Sequence, residues 1–507
     1  MTKPYYITTP LYYVNSKPHI GHAYTNVLCD TFARFHRALG EEIFFMTGTD
    51  EHGTKIDKAA REAGLAPKTF VDTIVPEFKK LWQALQIKYD FFIRTTDDSH
   101  KQFVQKILKD LEIKGDIYSS KYKGWYCTPC ESFWTELQLK ERKCPDCHRE
   151  VSELEEENYF FKMSKYQSWL IDYIKTHRDF IKPESRRNEV LGFLDLPLED
   201  LCITRPKSRL EWGIPYPTSP EHVVYVWFDA LVNYLSAESY PEVHKRFKKI
   251  WPADVHMIGK DILRQHAVYW PIMLKAIGTE LPGTVVAHGW WTIEGAKVSK
   301  SRGNAVDPFE MVKKFSADGV RYYLLREVTL GLDGIYSEGL MTERFNTDLA
   351  NDLGNLVMRS TAMLERYFGS KFPEASKLSG ELQNLSKEVV ARAESAMKNY
   401  DPRSALAEIW EIIRKANQYV DISKPWVLAK ENKTEELKNA ICTLLETIRT
   451  IAILLQPFLP ASAKKILKCF GIEKEVLWKE TTNWKTLKPG LQIQKSEALF
   501  PKFEVKS

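Results

Sequence analysis

Apolar residues Ile20, Tyr24, Val27, Leu28, Phe32 and Phe35 recur at a spacing of three and four, which predicts a helix with one buried face that ends at Gly40. The short run Tyr5-Tyr6-Ile7-Thr8-Thr9 before it reads as a strand, and a second apolar run over 42–46 breaks at Gly48-Thr49-Asp50. Together these segments predict one strand-helix-strand unit of a parallel sheet. Ligands of such sheets lie beyond the carboxyl ends of the strands, so Pro10 to Tyr13, the start of the helix and Asp50 are expected on one rim.

The α/β texture continues to about residue 115 and is interrupted over 116–215, which reads as an insertion. It resumes with Val223-Val224-Tyr225-Val226-Trp227-Phe228, a continuous apolar run that predicts a strand buried on both faces and the opening of a second half-sheet. The segment Val255-His256-Met257-Ile258-Gly259-Lys260-Asp261 repeats a strand-then-turn design. From about Glu343 the pattern is helical. Leu349, Leu353, Leu356, Val357 and Leu364 form one stripe, and Leu444, Leu445, Ile448, Ile451, Ala452 and Leu455 form another. A helical bundle is expected there, with Lys430 to Asn439 as a polar connection.

Bulk properties narrow the picture only a little. At 507 residues the chain has room for two or three domains, and its net charge of +5 fits a local nucleic-acid-binding patch without requiring one. No signal-peptide region or membrane span is evident, so a cytoplasmic protein is expected. Four cysteines, Cys29, Cys202, Cys442 and Cys469, are scattered and read as small buried or half-buried hydrophobes.

The other four form two knuckles, Cys127-Thr128-Pro129-Cys130 and Cys144-Pro145-Asp146-Cys147. Each pair of thiolates can take two corners of a tetrahedron, so one structural Zn²⁺ held by Cys127, Cys130, Cys144 and Cys147 is expected, with His148 the less well spaced substitute.

The tetrapeptide His19-Ile20-Gly21-His22 places two imidazoles on one side of a helix's first turn, where backbone N–H groups and the dipole already favour an anion. Downstream, Lys297-Val298-Ser299-Lys300-Ser301 and Arg302-Gly303-Asn304 form a cationic, small-residue stretch that reads as a mobile loop. A loop lysine can meet the charge that develops as pyrophosphate leaves a triphosphate. No Gly-x-Gly-x-x-Gly follows a strand, and Gly48 to Lys55 only resembles a P-loop, because Lys55 falls one residue late. Asp261, just past a strand end, suits ribose hydroxyls, while Asn355 and Arg359 share an exposed helix side and Trp426 could stack on a splayed base.

These motifs, in this order, resemble the class I aminoacyl-tRNA synthetases. The surrounding Tyr5 to Asn15, Thr47 to Gly53 and Leu499-Phe500-Pro501 are similar to the methionine-specific members, over nearly the whole chain. Val298 stands where the family's second signature has Met. The resemblance implies an α/β, Rossmann-like parallel-sheet catalytic domain split by a zinc-binding insertion and followed by an α-helical anticodon-binding bundle. Its parts would be 1–115 and 216–295 for the two catalytic halves, 116–215 for the insertion, 296–342 for the signature loop and stem-contact region, and 343–507 for the bundle.

It implies catalysis by His19, His22, Lys297 and Lys300, and ATP binding by His19, Gly21, His22, Gly259, Asp261 and Lys300, with Mg²⁺ accompanying ATP. A methionine pocket would be lined by Leu11, Tyr13, Trp227, Ala230, Tyr234, Ile262, His266 and Trp270, with Asp50 supplying an acid for the α-amino group. Gln265 departs from the aromatic residue common in the family. The anticodon would meet Asn355, Arg359, Pro425 and Trp426.

The expected reaction is ATP-dependent activation of L-methionine and transfer to tRNA(Met). A monomer is expected, since some relatives continue past this point into a dimer-forming module. The rivals are another class I synthetase, for whose large editing insertion the chain has little room, and a catalytically silent tRNA-binding paralogue.

Overall fold

The computed structural model describes residues 3–128, 132–134, 136–139, 141–145, 147–293, 296–297 and 306–504. Two compact units emerge, the first made of 1–18, 44–80 and 89–287, the second of 19–43, 81–88 and 288–507.

The first unit is built on six strands: β1 (Tyr5–Tyr13), β2 (Ile43–Asp50), β3 (Phe91–Arg94), β4 (Ile181–Lys182), β5 (Val255–Gly259) and β6 (Thr284–His288), in the spatial order β3-β2-β1-β5-β6-β4. The β2–β3, β1–β5 and β6–β4 pairs run parallel. All eight residues of β2 are buried, as expected of a strand covered on both faces. β1 runs on through Pro10 to Tyr13, so the residues expected beyond its end still belong to the strand.

The insertion carries its own antiparallel sheet, in which Ile117–Cys127 pairs on one side with Ser132–Trp134 and on the other with Ser152–Phe161, whose far edge meets Leu201–Cys202.

The expectation of a buried strand over Val223–Phe228 is corrected. Only His222–Val224 forms a strand, in a separate two-stranded antiparallel sheet with Thr204–Pro206, and a helix begins at Val226 and runs to Ser236. Every residue of that helix except Trp227 is buried, so its sequence shows no amphipathic period and cannot be told from a strand by pattern.

The second unit contains helix α1 (Ile20–Ala38) and the C-terminal helices. α1 ends as predicted, with Gly40 taking φ +89° just beyond it. It is buried on more than one face, however. Asp30 is fully enclosed, paired with Arg321 Nη1 (2.6 Å) and Arg34 Nε (2.7 Å), and it accepts the Lys88 amide (2.8 Å). Burial pushes the Asp30 carboxyl up, but the two guanidinium groups outweigh it and hold the group below the ordinary carboxylate range. Arg321 also donates to the carbonyls of Pro457 (2.9 Å) and Phe458 (2.9 Å), so one buried cation ties α1 to the turn after the helix Thr434–Leu455.

Both predicted stripes are buried throughout. The polar connection expected over 430–439 shrinks to 431–433, because Thr434-Glu435-Glu436 opens the next helix, where acidic residues complement the dipole. Among the described residues no helix is long and apolar enough to cross a membrane.

Candidate functional site

In the first unit, Tyr234 and Trp270 of the expected methionine pocket belong to the hydrophobic core, and Leu11 and Ile262 pack against it. Tyr234, His266, Trp270, Ala230 and Asp50 are buried, and Leu11, Tyr13, Trp227 and Ile262 are half-buried. Tyr13 and Trp227 meet edge to face at 6.4 Å. The Tyr234 hydroxyl donates to His266 Nε2 (2.8 Å), while His266 Nδ1–H donates to the Ile262 carbonyl (3.0 Å), which fixes the neutral tautomer. Burial pulls the His266 pKa down from 6.5 to about 4, so the wall stays uncharged at neutral pH. His266 lies in a turn of π-helix over Gln265–Tyr269, and Trp270 begins the α-helix that follows. Gln265 Oε1 is buried there with no protein hydrogen-bond partner among the described residues. At the end of β5, Gly259 leads into a turn that leaves Asp261 exposed, as the strand-then-turn reading requires.

The groups that hold this wall in place are not legible in the sequence. The Asp229 carboxylate accepts from His52 Nδ1 (2.7 Å) and His100 Nε2 (2.7 Å), and all three side chains are buried. Burial raises the Asp229 pKa, but the two imidazoles outweigh it and the net shift is downward. Beside His52, Glu51 receives Arg94 through two hydrogen bonds (2.6 and 2.8 Å), together with Thr49 Oγ1 (2.6 Å) and Thr96 Oγ1 (2.5 Å). Trp212 Nε1 donates to the Glu51 carbonyl (2.6 Å). One signal is available: four consecutive polar residues, Thr49 to His52, run from the end of an apolar strand and remain buried.

In the second unit His19 caps α1. His19 Nδ1 accepts the Gly21 amide (3.1 Å), His22 Nδ1 accepts the His19 amide (3.3 Å), and the two rings stack at 3.8 Å. Because each Nδ1 is an acceptor, the neutral rings carry their protons on Nε2. The backbone thus sets both imidazoles as Nε2–H donors at the positive end of a helix, which suits a phosphate. Gly21 owes its place to this fold: a Cβ there would lie 2.9 Å from His19 Cε1.

Lys297 lies in the short strand Ala296–Lys297, paired antiparallel with Trp291–Ile293, rather than in a loop. Lys300 and the rest of the expected loop, 298–304, lie outside the described residues.

The sulfur atoms of Cys127, Cys144 and Cys147 lie within 4.8 Å of one another, with Cys127 and Cys147 3.5 Å apart. Tetrahedral thiolates at the usual zinc distance sit about 3.8 Å apart, so three corners of a metal centre fit. Cys130 falls outside the described residues. A tight turn in which the Cys144 amide donates to the Arg149 carbonyl (2.9 Å) and the His148 amide to the Cys144 carbonyl (2.9 Å) shapes the second knuckle. His148 is not part of the cluster.

On the helix Asn355–Phe368, Arg359 is exposed and Asn355 half-buried, off the apolar stripe as predicted. Arg359 Nη2 contacts Asp421 Oδ1 at 3.4 Å. Trp426 is 43% exposed in the first turn of the helix Pro425–Lys430, while Pro425 itself is buried.

Comparison with known proteins places this geometry. The family described as tRNA synthetases class I (M) matches residues 5–153 and 149–361, and the anticodon binding domain of methionyl tRNA ligase matches 372–506. A methionine–tRNA ligase from Caldanaerobacter subterraneus is 48% identical over 510 residues, covering all of this chain and 80% of the relative. One from Thermotoga maritima is 45% identical, covering 99% and 81%. The structure of Mycobacterium tuberculosis methionyl-tRNA synthetase in complex with methionyl-adenylate superposes with a TM-score of 0.94 at 38% identity, covering 99% of this chain and 100% of that one. The buried aromatic wall, the paired histidines and the helical bundle thus fall within a likeness that spans the full length, and the chain belongs to the methionyl-tRNA synthetase family of class I enzymes, acting as a methionine–tRNA ligase.

Proposed function

We propose a division of labour among residues for the two steps of this ligation. The methionine carboxylate attacks the α-phosphorus of ATP, pyrophosphate leaves, and the terminal ribose hydroxyl of tRNA(Met) then attacks the adenylate carbonyl and releases AMP. Asp50 anchors the α-amino group, while Leu11, Tyr13, Trp227, Ala230, Tyr234, Ile262, His266 and Trp270 receive the side chain. Gly259 and Asp261 hold the adenosine. His19 and His22 donate Nε2–H groups to phosphate oxygens, and Lys300, assisted by Lys297, meets the charge that grows on the leaving group. Mg²⁺ accompanies ATP. Cys127, Cys130, Cys144 and Cys147 hold one zinc, whose chemistry is to crosslink the insertion. Asn355, Arg359, Pro425 and Trp426 read the anticodon.

The domain reading follows the same division: catalytic halves 1–115 and 216–295, insertion 116–215, signature region 296–342 and anticodon bundle 343–507. The enzyme works in the cytoplasm as a monomer, which light scattering at assay concentration checks.

The observation that carries the reading is the buried, neutral array of Tyr234, His266 and Trp270, an apolar and polarizable lining of the kind a thioether needs. Lys300→Ala tests the catalytic assignment. The rate of pyrophosphate exchange should fall by roughly 10²–10³, with little change in the KM for methionine. An unchanged rate would remove Lys300 from the mechanism.

A further inference from the structure

His256 is fully buried in β5, directly behind the pocket wall. Thr8 of β1 is its register partner, and Thr8 Oγ1 lies 2.7 Å from His256 Nδ1. On the other side of the ring, Trp270 Nε1–H donates to His256 Nε2 (3.2 Å). An imidazole nitrogen that accepts carries no proton, so Nδ1 bears it and donates to the Thr8 hydroxyl. The face of the ring stacks on Tyr234, with centroids 4.1 Å apart and planes at 28°. Tyr234 in turn packs at 5.7 Å against Trp270. One imidazole therefore fixes the azimuth of Trp270 through a hydrogen bond and the plane of Tyr234 through stacking.

We infer that His256 is a positioning residue that sets the shape of the methionine side-chain pocket from behind, an inference that rests on the pocket assignment proposed above. Its ring does not need to touch substrate. It fixes the two aromatic walls before methionine arrives, so that the ordering cost is met in folding rather than in binding. Protonation would set a second N–H against the indole N–H of Trp270. Burial, with a smaller contribution from His266, holds the His256 pKa well below its ordinary value, and the ring stays an acceptor.

Three substitutions separate this role from simple packing, measured by methionine-dependent pyrophosphate exchange. His256→Phe keeps the ring and its stacking but offers Trp270 no acceptor. His256→Asn reaches the Thr8 side only, whereas His256→Gln restores an acceptor near the position of Nε2. The KM for methionine should rise about tenfold in the Phe and Asn variants and stay within about threefold in the Gln variant, while kcat and the KM for ATP move less than about twofold. In a Trp270→Phe background, which has no N–H to satisfy, His256→Phe should add nothing further.

Equal KM values across the three variants, parallel changes in the ATP parameters, or additive effects in the double mutant would each overturn the inference. His266→Ala provides the independent check. If it leaves the methionine KM unaltered, the pocket assignment fails; if it raises that KM while the His256 variants do not, only the role of His256 is lost.

Discussion

The imidazoles of this chain take different roles according to which ring nitrogen the surroundings engage. His19 and His22 accept backbone amides at Nδ1 and are left as Nε2–H donors, whereas His266 donates through Nδ1 and accepts at Nε2. The consequence for stability has a definite sign. With a folded pKa of about 4 against 6.5 when unfolded, His266 is protonated first in the unfolded chain. Stability is therefore unaffected above pH 6.5 and falls by about 1.4 kcal/mol per unit from there toward pH 4. His256, also shifted down, acts in the same direction. Asp229, held below the ordinary carboxylate range, adds stability at neutral pH that is lost only at still more acid values. Urea unfolding at pH 7.5 and pH 5.0 should show the loss, and His266→Gln should make the difference between the two pH values smaller. A second prediction concerns Gly21. In Gly21→Ala the new methyl group displaces His19, so pyrophosphate exchange should slow by about 10–100-fold while the melting temperature changes little. Exchange at the wild-type rate would show that the capped geometry is irrelevant.

Among the elements, legibility tracked how one-sided the burial is. The C-terminal stripes at Leu349–Leu364 and Leu444–Leu455 were readable because apolar residues repeat at helical spacing. α1 was placed correctly from its periodicity, but its buried Asp30 was invisible, since the compensating Arg321 lies almost three hundred residues away in sequence. The start of the helix Val226–Ser236 falls inside the strand expected over Val223–Phe228, because near-total burial erases the period. Its buried Asp229 was missed for the same reason as Asp30: His52 and His100, which license a carboxylate in the core, come from distant segments. Asp229→Leu leaves both imidazole N–H groups without their acceptor, and urea denaturation should show a loss of about 3 kcal/mol. The cysteine knuckles, by contrast, announced themselves through local spacing alone. Elemental analysis should find one zinc per chain, and Cys144→Ser should release it and make the insertion the first site of proteolysis, with the far-UV spectrum of the rest preserved. A metal-free preparation of full activity and unchanged protease resistance would contradict the assignment.

For the molecule as a whole, the proposed assignment puts activation of the amino acid and selection of the tRNA on residues far apart in the chain, the former on β1, β2, β5, α1 and the second signature, the latter on the C-terminal bundle. The two functions should separate under mutation. Trp426→Ala removes an exposed indole that can stack on a base, a contact worth about 1–3 kcal/mol, so kcat/KM for tRNA should fall while exchange without tRNA is retained. Activation of methionine by this chain is measurable without tRNA. The measurement that meets it most directly is exchange of labelled pyrophosphate into ATP by the purified protein, with methionine, leucine, isoleucine, valine and cysteine supplied one at a time and no tRNA present. Methionine should support rapid exchange and the other four should support little. Exchange that is absent with methionine, or as fast with another of the five, would contradict the account.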